Sequence, residues 1–240
     1  MVPTKAHFDR LGNFMRRFFL SMFAIMAWGL NPASTVGQGL VEADWGVVQE
    51  VVDGDTLVLE GGLNVRLVGI QAPKLPLGRP DFEQQPLAPE AKAALESLTL
   101  GKRVLLSYGG LAVDRYGRAL AHLHDDQGLW VQGEMLRQGL ARVYSFQDNR
   151  TMVREMLVLE AQARGDRLGI WSLPYYAVRR PEDTGAYLNR FEVVEGVVLA
   201  AEQVRGRIYL NFGEDWRTDF TVSVAPRDVK LFENAGIDLL

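Results

Sequence analysis

Two short polar runs and one arginine could together act on a phosphodiester. The runs are residues 53–56 (DGDT) and 114–118 (DRYGR), and Arg66 lies between apolar neighbours on a predicted strand. Cleaving a phosphodiester requires positive charge on the phosphoryl oxygens, a positioned water and a base. The guanidinium groups of Arg66 and Arg118 suit the first task, because each stays charged and can grip two oxygens. These two arginines are the candidate catalytic residues.

The same runs carry oxygen ligands for a hard cation. Ca²⁺ prefers carboxylate and carbonyl oxygens, and Asp55, with Asp53 nearby, is the best candidate. Taken alone, the DGD sequence is typical of a hairpin turn, and a lone arginine more often pairs with a surface carboxylate. The metal and phosphate hypotheses therefore depend on these residues occurring together. His122 and His124 lack a third ligand at convincing spacing and are interpreted as ordinary strand positions.

Composition and the N-terminal sequence limit the class of protein. The chain has 240 residues, 48% hydrophobic and 23% charged, enough for one good core and a smaller appendage. It has no cysteine, which excludes disulfides and thiolate chemistry. Arg16 and Arg17 precede an apolar run and small residues, which predicts a signal peptide over residues 1–37. We expect an exported protein, periplasmic or secreted, without stable membrane insertion after cleavage; an uncleaved N-terminal anchor is the alternative.

The predicted mature protein is acidic. Removing residues 1–37 takes away four basic residues and one acidic residue, so the formal charge falls from −4 to −7. Nonspecific affinity for nucleic acid comes from phosphate neutralisation by Lys and Arg. Any polyanion must therefore be held by a local arginine cluster.

The order of elements predicts a protein that is mainly β with helices (α+β). Strands are predicted at residues 46–52, 56–60, 64–70, 103–108 and 119–124, and helices at 89–98, 131–138 and 151–164. Three strands, a helix and two strands is the order of a five-stranded oligonucleotide-binding (OB) barrel. Residues 75–88 are rich in proline and polar residues, and predict an irregular loop where a substrate would lie.

The sequence predicts further structure after the barrel domain, which we assign to residues 45–173. Residues 174–189 are interpreted as a linker, and residues 190–240 as a small β-rich accessory domain. Its strands are predicted at 191–199, 207–212 and 218–224, followed by a helix at 228–234. Because about 50 residues is marginal for an independent core, we expect this unit to lean on the barrel or to be incomplete.

Seven motifs together resemble the staphylococcal nuclease (thermonuclease) family over residues 47–172. In chain order they are VDGDT (52–56), VRLV (65–68), AP (72–73), PEA (89–91), DRYGR (114–118), RQGLA (137–141) and GIWS (169–172). The resemblance implies an OB-type barrel with helices, and active members of the family cut DNA and RNA with Ca²⁺. It further implies that Arg66 and Arg118 hold the scissile phosphate, that Asp55 binds metal and that Tyr116 contacts the nucleotide.

Two positions depart from the family pattern. The resemblance puts Gln71 at the second metal aspartate and Lys74 at the water-activating glutamate. Gln71 offers a carbonyl oxygen but no charge, so Ca²⁺ binding should be weakened or lost. Lys74 cannot act as a carboxylate base, although it would add positive charge beside the phosphate. Asp81 or Glu83 could replace the base, or Lys74 could act as an electrophile in a reaction without metal.

The sequence thus supports several functions. The first is an exported nuclease that hydrolyses phosphodiester bonds in DNA or RNA at an arginine-held phosphate. The alternative is a catalytically degenerate module that binds nucleic acid or another polyanion without turnover, using Arg66, Lys74 and Arg118 as a cradle. A protein-interaction or envelope-structural role has only the acidic charge and the second domain in its favour. No small-molecule cofactor is expected.

Overall fold

The computed structural model describes residues 39–240, so the predicted signal peptide lies outside the described residues. Within residues 39–240, no helix has both the length and the apolar character needed to cross a membrane. The strands are β1 (Val41–Asp53), β2 (Thr56–Leu59), β3 (Asn64–Leu67), β4 (Ile70–Gln71), β5 (Arg103–Tyr108), β6 (Ala119–Asp125), β7 (Arg142–Val143), β8 (Ala200–Val204), β9 (Arg207–Asn211) and β10 (Thr221–Val224). The helices are α1 (Ala88–Thr99), α2 (Val131–Arg137), α3 (Val153–Gly165) and α4 (Pro226–Asn234).

Five strands close into a barrel in the order β1-β2-β3-β6-β5. The long strand β1 closes it, because its second half pairs with β2 and its first half pairs with β5. Strands β3 and β6 run parallel, whereas the other neighbours are antiparallel. The predicted five-stranded OB barrel of the α+β class is confirmed, with α1 packed against β1 and α2 against β6.

Alternation along the strands separates the core from the surface. On β3, Val65 and Leu67 are fully buried, whereas Arg66 between them remains partly exposed. Successive strand residues point to opposite faces, so Arg66 leaves the core as its neighbours enter it. Ala91 and Leu95 of α1, one turn apart, are also fully buried and complete the core at one end of the barrel.

The predicted third strand is divided in two. Strand β3 ends at Leu67, and β4 begins at Ile70 after a two-residue turn. Gly69 in this turn has a φ of +83°, where a side chain is strained. A Cβ there would also lie 2.7 Å from the sulfur of Met156. Strand β4 then pairs with β7, which the sequence analysis did not predict.

Residues 174–240 form 3₁₀ segments, a second sheet and a helix. In the predicted linker, Pro174–Tyr176 and Pro181–Tyr187 are 3₁₀ helices. Tyr176 is buried, and its hydroxyl donates to the carbonyl oxygen of Pro86 at 2.9 Å. Strands β8, β9 and β10 form an antiparallel sheet in the order β10-β9-β8. The division into barrel, linker and accessory domain stays a prediction.

The strand predicted at residues 191–199 is wrong. Within it, Val194 forms only an isolated bridge with Arg179. The ladder with β9 begins at Ala200, one residue after the predicted strand ends. The physical reason lies in the tight turn at residues 205–206, across which Val204 pairs with Arg207. A turn of this kind sets the register of a hairpin. The first residue of β8 is therefore the one that lies opposite the last residue of β9. Strand β9 has five residues, and β8 therefore has five.

Buried His122 predicts a pH dependence of stability. Burial, aided by His124, lowers the pKa of His122 from 6.5 to about 4. As the pH falls from 6.5 towards 4, the unfolded state binds a proton that the folded state does not, so stability decreases over this interval. Between pH 7 and pH 4, the wild type should therefore lose about 3 kcal/mol more free energy of unfolding than His122→Gln does. Urea denaturation at both pH values measures this, and equal losses for the two proteins would contradict it.

Candidate functional site

The first candidate run lies at the hairpin between β1 and β2. Asp53 pairs with the first residue of β2 across a two-residue turn, which confirms the hairpin interpretation of DGD. The glycine is required by space, because a Cβ on Gly54 would lie 2.7 Å from the Cβ atoms of Ala72 and Ala91. This close approach brings the hairpin against α1, and Asp55 becomes fully buried.

The Asp55 carboxylate has four partners. Its Oδ2 accepts the amide hydrogen of Ala72 at 2.8 Å, and its Oδ1 accepts the hydroxyl of Thr56 at 3.2 Å. Nη1 of Arg66 lies 3.2 Å from Oδ1, and the Lys74 ammonium contacts Oδ1 and Oδ2 at 2.6 and 2.7 Å. Burial would raise the pKa of Asp55, but the charges of Arg66 and Lys74 outweigh it and lower the pKa to about 2. Asp55 is therefore an anion at neutral pH.

The Lys74 ammonium lies between two aspartates. Besides its contacts with Asp55, Nζ donates to Oδ2 of Asp53 at 3.1 Å, so three carboxylate oxygens surround a group with three hydrogens. Burial and the Asp55 charge raise the pKa of Asp53, although Lys74 opposes them. Gln85 holds the backbone of Lys74. The side-chain oxygen of Gln85 accepts the Lys74 backbone amide hydrogen at 2.9 Å, and the backbone N–H of Gln85 donates to the Lys74 carbonyl oxygen at 3.0 Å.

The guanidinium of Arg66 is partly committed to the backbone. Nη1 donates to the carbonyl oxygen of Leu67 at 2.7 Å, and Nη2 to that of Ile70 at 2.7 Å. These bonds brace the turn between β3 and β4. Nε and one Nη2 hydrogen of Arg66 have no protein partner within residues 39–240.

A groove of about 600 Å³ joins the two candidate arginines. Its charged and aromatic lining comprises Arg66, Asp114, Arg115, Tyr116, Arg118, Tyr144, Phe146 and Asp148. Three arginines and two aspartates give the lining a formal charge of +1, in a chain whose net charge is −4. The groove is thus less acidic than the protein as a whole, and its Arg66 is shared with Asp55 of the aspartate pair behind it. Lys74 is not among its lining residues.

The second candidate run folds into a turn around Asp114. Oδ1 of Asp114 accepts the amide hydrogens of Tyr116 and Arg118, and Oδ2 accepts Nε and Nη2 of Arg118 at 2.8 and 2.7 Å. Gly117 completes the turn with a φ of +80°. Partial burial acts to raise the pKa of Asp114, but the hydrogen bonds from Arg118 and Tyr116 outweigh it and lower the pKa. The turn leaves Tyr116 68% exposed and, within residues 39–240, gives Nη1 of Arg118 no partner.

Two aromatic residues of the groove were missed by the sequence analysis. Tyr144 and Phe146 contact each other edge to face, with ring centroids 4.9 Å apart, and Phe146 is 57% exposed. The sequence did contain a signal for them: they lie two residues apart just after β7, and residues so spaced point to the same side of an extended chain. With Tyr116, they give the groove three aromatic rings.

The side chain of Gln71 is bound to a buried arginine. Its Oε1 accepts Nε and Nη2 of Arg142 at 3.2 and 2.9 Å. Arg142 is 8% exposed and lies 4.0 Å from the ring centroid of Phe191. Burial lowers the pKa of Arg142 from its usual value. The amide oxygen that could bind a metal is therefore already engaged, by a partner 71 residues away in sequence.

The residues around Asp55 do not fit a bound Ca²⁺. Calcium takes about six to eight oxygen ligands at roughly 2.3–2.6 Å. The Lys74 ammonium already lies at nearly this distance from both oxygens of Asp55, and Gln71 is held by Arg142. No group of three or more His, Cys, Asp or Glu residues able to hold a metal occurs within residues 39–240. As folded, the site leaves a divalent ion no position between Asp53 and Asp55.

The other sequence candidates lie outside this cluster. Asp81 and Glu83, considered as replacement bases, are exposed in the loop before α1 and do not line the groove. His122 and His124 are buried on β6, where the His122 ring lies 5.8 Å from that of Trp130. The structure therefore brings together Arg66, Arg118 and Tyr116 in the groove, and puts the Asp53, Asp55 and Lys74 cluster directly behind Arg66.

Comparison with known proteins identifies relatives of this chain. The family model described as Staphylococcal nuclease homologue matches residues 64–173. Protein ParB of Escherichia coli is 35% identical over 141 residues, 54% of this chain and 73% of ParB. An uncharacterized endonuclease of Escherichia coli O157:H7 is 31% identical over 161 residues, 66% of this chain and 91% of that protein. Endonuclease YncB of Bacillus subtilis is 33% identical over 138 residues, 55% of this chain and 64% of YncB. The chain spans only 12% of a further relative, endonuclease YhcR of the same organism.

Replacing Lys74 should destabilise the fold. In Lys74→Met, the buried aspartates lose the ammonium, and removing one partner of a buried ion pair costs roughly 3 kcal/mol. We expect urea denaturation at pH 7 to show a loss of about this size. Lys102→Met is the matched control, because Lys102 is exposed and donates only to the carbonyl oxygen of Ser97. A loss no larger than that of the control would contradict a structural role for the Lys74 ion pairs.

Proposed function

Because this chain belongs to the staphylococcal nuclease family, we propose that its groove binds the sugar-phosphate backbone of single-stranded DNA or RNA. The observation that carries the proposal is the convergence of Arg66 with Tyr116 and Arg118 on one groove. Arg66 comes from β3, whereas Tyr116 and Arg118 come from the turn before β6, the strand that pairs with β3. Family membership and the relatives named endonuclease support a nuclease-like function in general.

The geometry of the two arginines supports phosphate recognition. Each guanidinium is fixed on one side, Arg66 by backbone carbonyls and Arg118 by Asp114. The other side of each retains hydrogens without a partner in the described part of the chain. A guanidinium that is already oriented loses less entropy when it grips an anion, so both are suited to charge-assisted bonds with phosphate.

The aromatic rings support binding of a single strand rather than a duplex. Tyr116 and Phe146 expose more than half of their surface at the groove. Unpaired bases can stack on such rings, and each stacked base contributes about 1–3 kcal/mol. The guanidinium carbons of Arg115 and Arg118 lie 4.8 and 5.6 Å from the Tyr116 ring, which puts positive charge beside the stacking surface.

We further propose that the strand is held without Ca²⁺-dependent cleavage. The familial reaction needs a metal and a carboxylate base, and Gln71 and Lys74 stand where the resemblance puts two of these carboxylates. A lysine ammonium that donates three hydrogen bonds to carboxylates cannot take a proton from water. The exposed carboxylates Asp81 and Glu83 do not line the groove.

Hydrolysis of phosphodiester bonds is the second candidate function. The pair of arginines favours it, because Arg66 and Arg118 could stabilise the charge that develops on the phosphoryl oxygens. The endonuclease names of the relatives favour it as well. Export to the periplasm or the medium is part of both proposals, and it depends on the signal peptide predicted at residues 1–37.

Binding and cleavage can be tested on the same purified protein with fluorescein-labelled single-stranded DNA and RNA. We expect anisotropy to show salt-sensitive binding, which Arg118→Ala weakens about tenfold because one charge-assisted phosphate contact is lost. The matched control is Arg217→Ala, an exposed arginine in the loop between β9 and β10. Binding of neither strand by the wild type would refute the proposal.

The same strands, examined on gels in Ca²⁺ and in chelator, decide about turnover. We expect intact strands in both conditions. Cleavage by the wild type that Arg66→Ala abolishes would favour the second candidate, and the chelator lane would show whether that reaction requires a metal.

A further inference from the structure

We propose that the Lys74 ammonium is a built-in substitute for a divalent cation, so that Asp53 and Asp55 do not bind Ca²⁺ while Lys74 is present. The proposal concerns the carboxylate pair behind the groove and does not depend on whether the groove binds nucleic acid. It is carried by three observations: the position of Nζ, the charge of the cluster and the orientation of Gln71.

The first observation is the position of the ammonium nitrogen. Nζ of Lys74 lies 2.6 and 2.7 Å from the two oxygens of Asp55, and 3.1 Å from Oδ2 of Asp53. A calcium ion bound by both Asp55 oxygens would need roughly the same point, because its bonds to oxygen are about 2.3–2.6 Å long. Two cations cannot share that point, so Ca²⁺ could enter only if the lysine left.

The second observation is the charge of the cluster. Asp53 and Asp55 carry two negative charges, and Arg66 and Lys74 carry two positive charges, so the cluster is formally neutral. A glutamate in place of Lys74, as the family resemblance expects, would give the cluster a formal charge of −2. A divalent cation would neutralise that charge. The lysine thus supplies covalently the compensation that a metal would otherwise supply by binding.

The third observation is that the lysine and the remaining ligand position are both fixed by other contacts. Gln85 bonds both polar groups of the Lys74 backbone, which fixes the Cα from which the side chain reaches the aspartates. Withdrawal would also leave the fully buried Asp55 with one cationic partner fewer, which is costly for a buried anion. Gln71, the third expected ligand, is meanwhile held by Arg142. Two separate substitutions therefore act in the same direction.

Calcium binding can be tested without nucleic acid by calorimetry and by the shift of the melting temperature on adding CaCl₂. We expect no binding to the wild type. The double variant Gln71→Asp, Lys74→Glu restores the carboxylates, and its melting temperature should rise by roughly 5 °C at saturating Ca²⁺. Lys230→Glu makes the same lysine-to-glutamate exchange as Lys74→Glu at an exposed position of α4, and it should behave as the wild type does.

If the double variant does not fold, measurements on the wild type can still refute the proposal. A rise in the wild-type melting temperature with Ca²⁺ that Asp55→Asn abolishes would overturn it. Lys74→Gln offers a milder variant, because it removes the charge and keeps a polar side chain of similar length. A Ca²⁺-dependent rise in Lys74→Gln that the wild type lacks would support the proposal, and an equal rise in the two proteins would overturn it.

Discussion

The ion pairs of Lys74 with Asp53 and Asp55 are the constraint on which the rest of the site depends. Asp55 is fully buried at a hairpin that a glycine allows to pack against α1, and a buried carboxylate is stable only with close partners. The lysine and Arg66 are its two cationic partners. Because the pairs neutralise both aspartates, negative charge does not accumulate directly behind the groove that would hold a phosphate.

In the groove in front of this cluster, the two sides of each arginine guanidinium differ in their contacts. Each arginine uses one side of its guanidinium to fix a piece of the protein: Arg66 braces the turn after β3, and Arg118 closes the turn around Asp114. The other side retains hydrogens without a partner within residues 39–240. The barrel strands thus supply rigid positions for groups that would otherwise be flexible, which is the general advantage of building a site on strands and tight turns.

Membership of the staphylococcal nuclease family accounts for the barrel and the groove, but not for the chemistry. A fold carries a reaction only when the side chains of its site support that reaction. The resemblance puts Gln71 and Lys74 at the positions of a metal ligand and a base, and in the structure Gln71 contacts Arg142 and Lys74 contacts the aspartate pair. Under our proposal the two substitutions are mutually consistent, since Lys74 would replace the charge of a metal and Gln71 would remove a ligand for it.

Sequence patterns were enough to predict the barrel and to identify the candidate residues. Alternating apolar residues and local turns were sufficient for β5 and for the general order of strands and helices, and the motifs singled out Arg66, Arg118 and Asp55. The direction of the Lys74 side chain depends on packing, because its flexible stem could have carried the charge either to the groove or to the aspartates. The partners that settle this lie 19 and 21 residues away in sequence, and the partner of Gln71 lies 71 residues away. Local periodicity carries no information about such contacts, since they form only when packing excludes water and leaves buried charges to find one another.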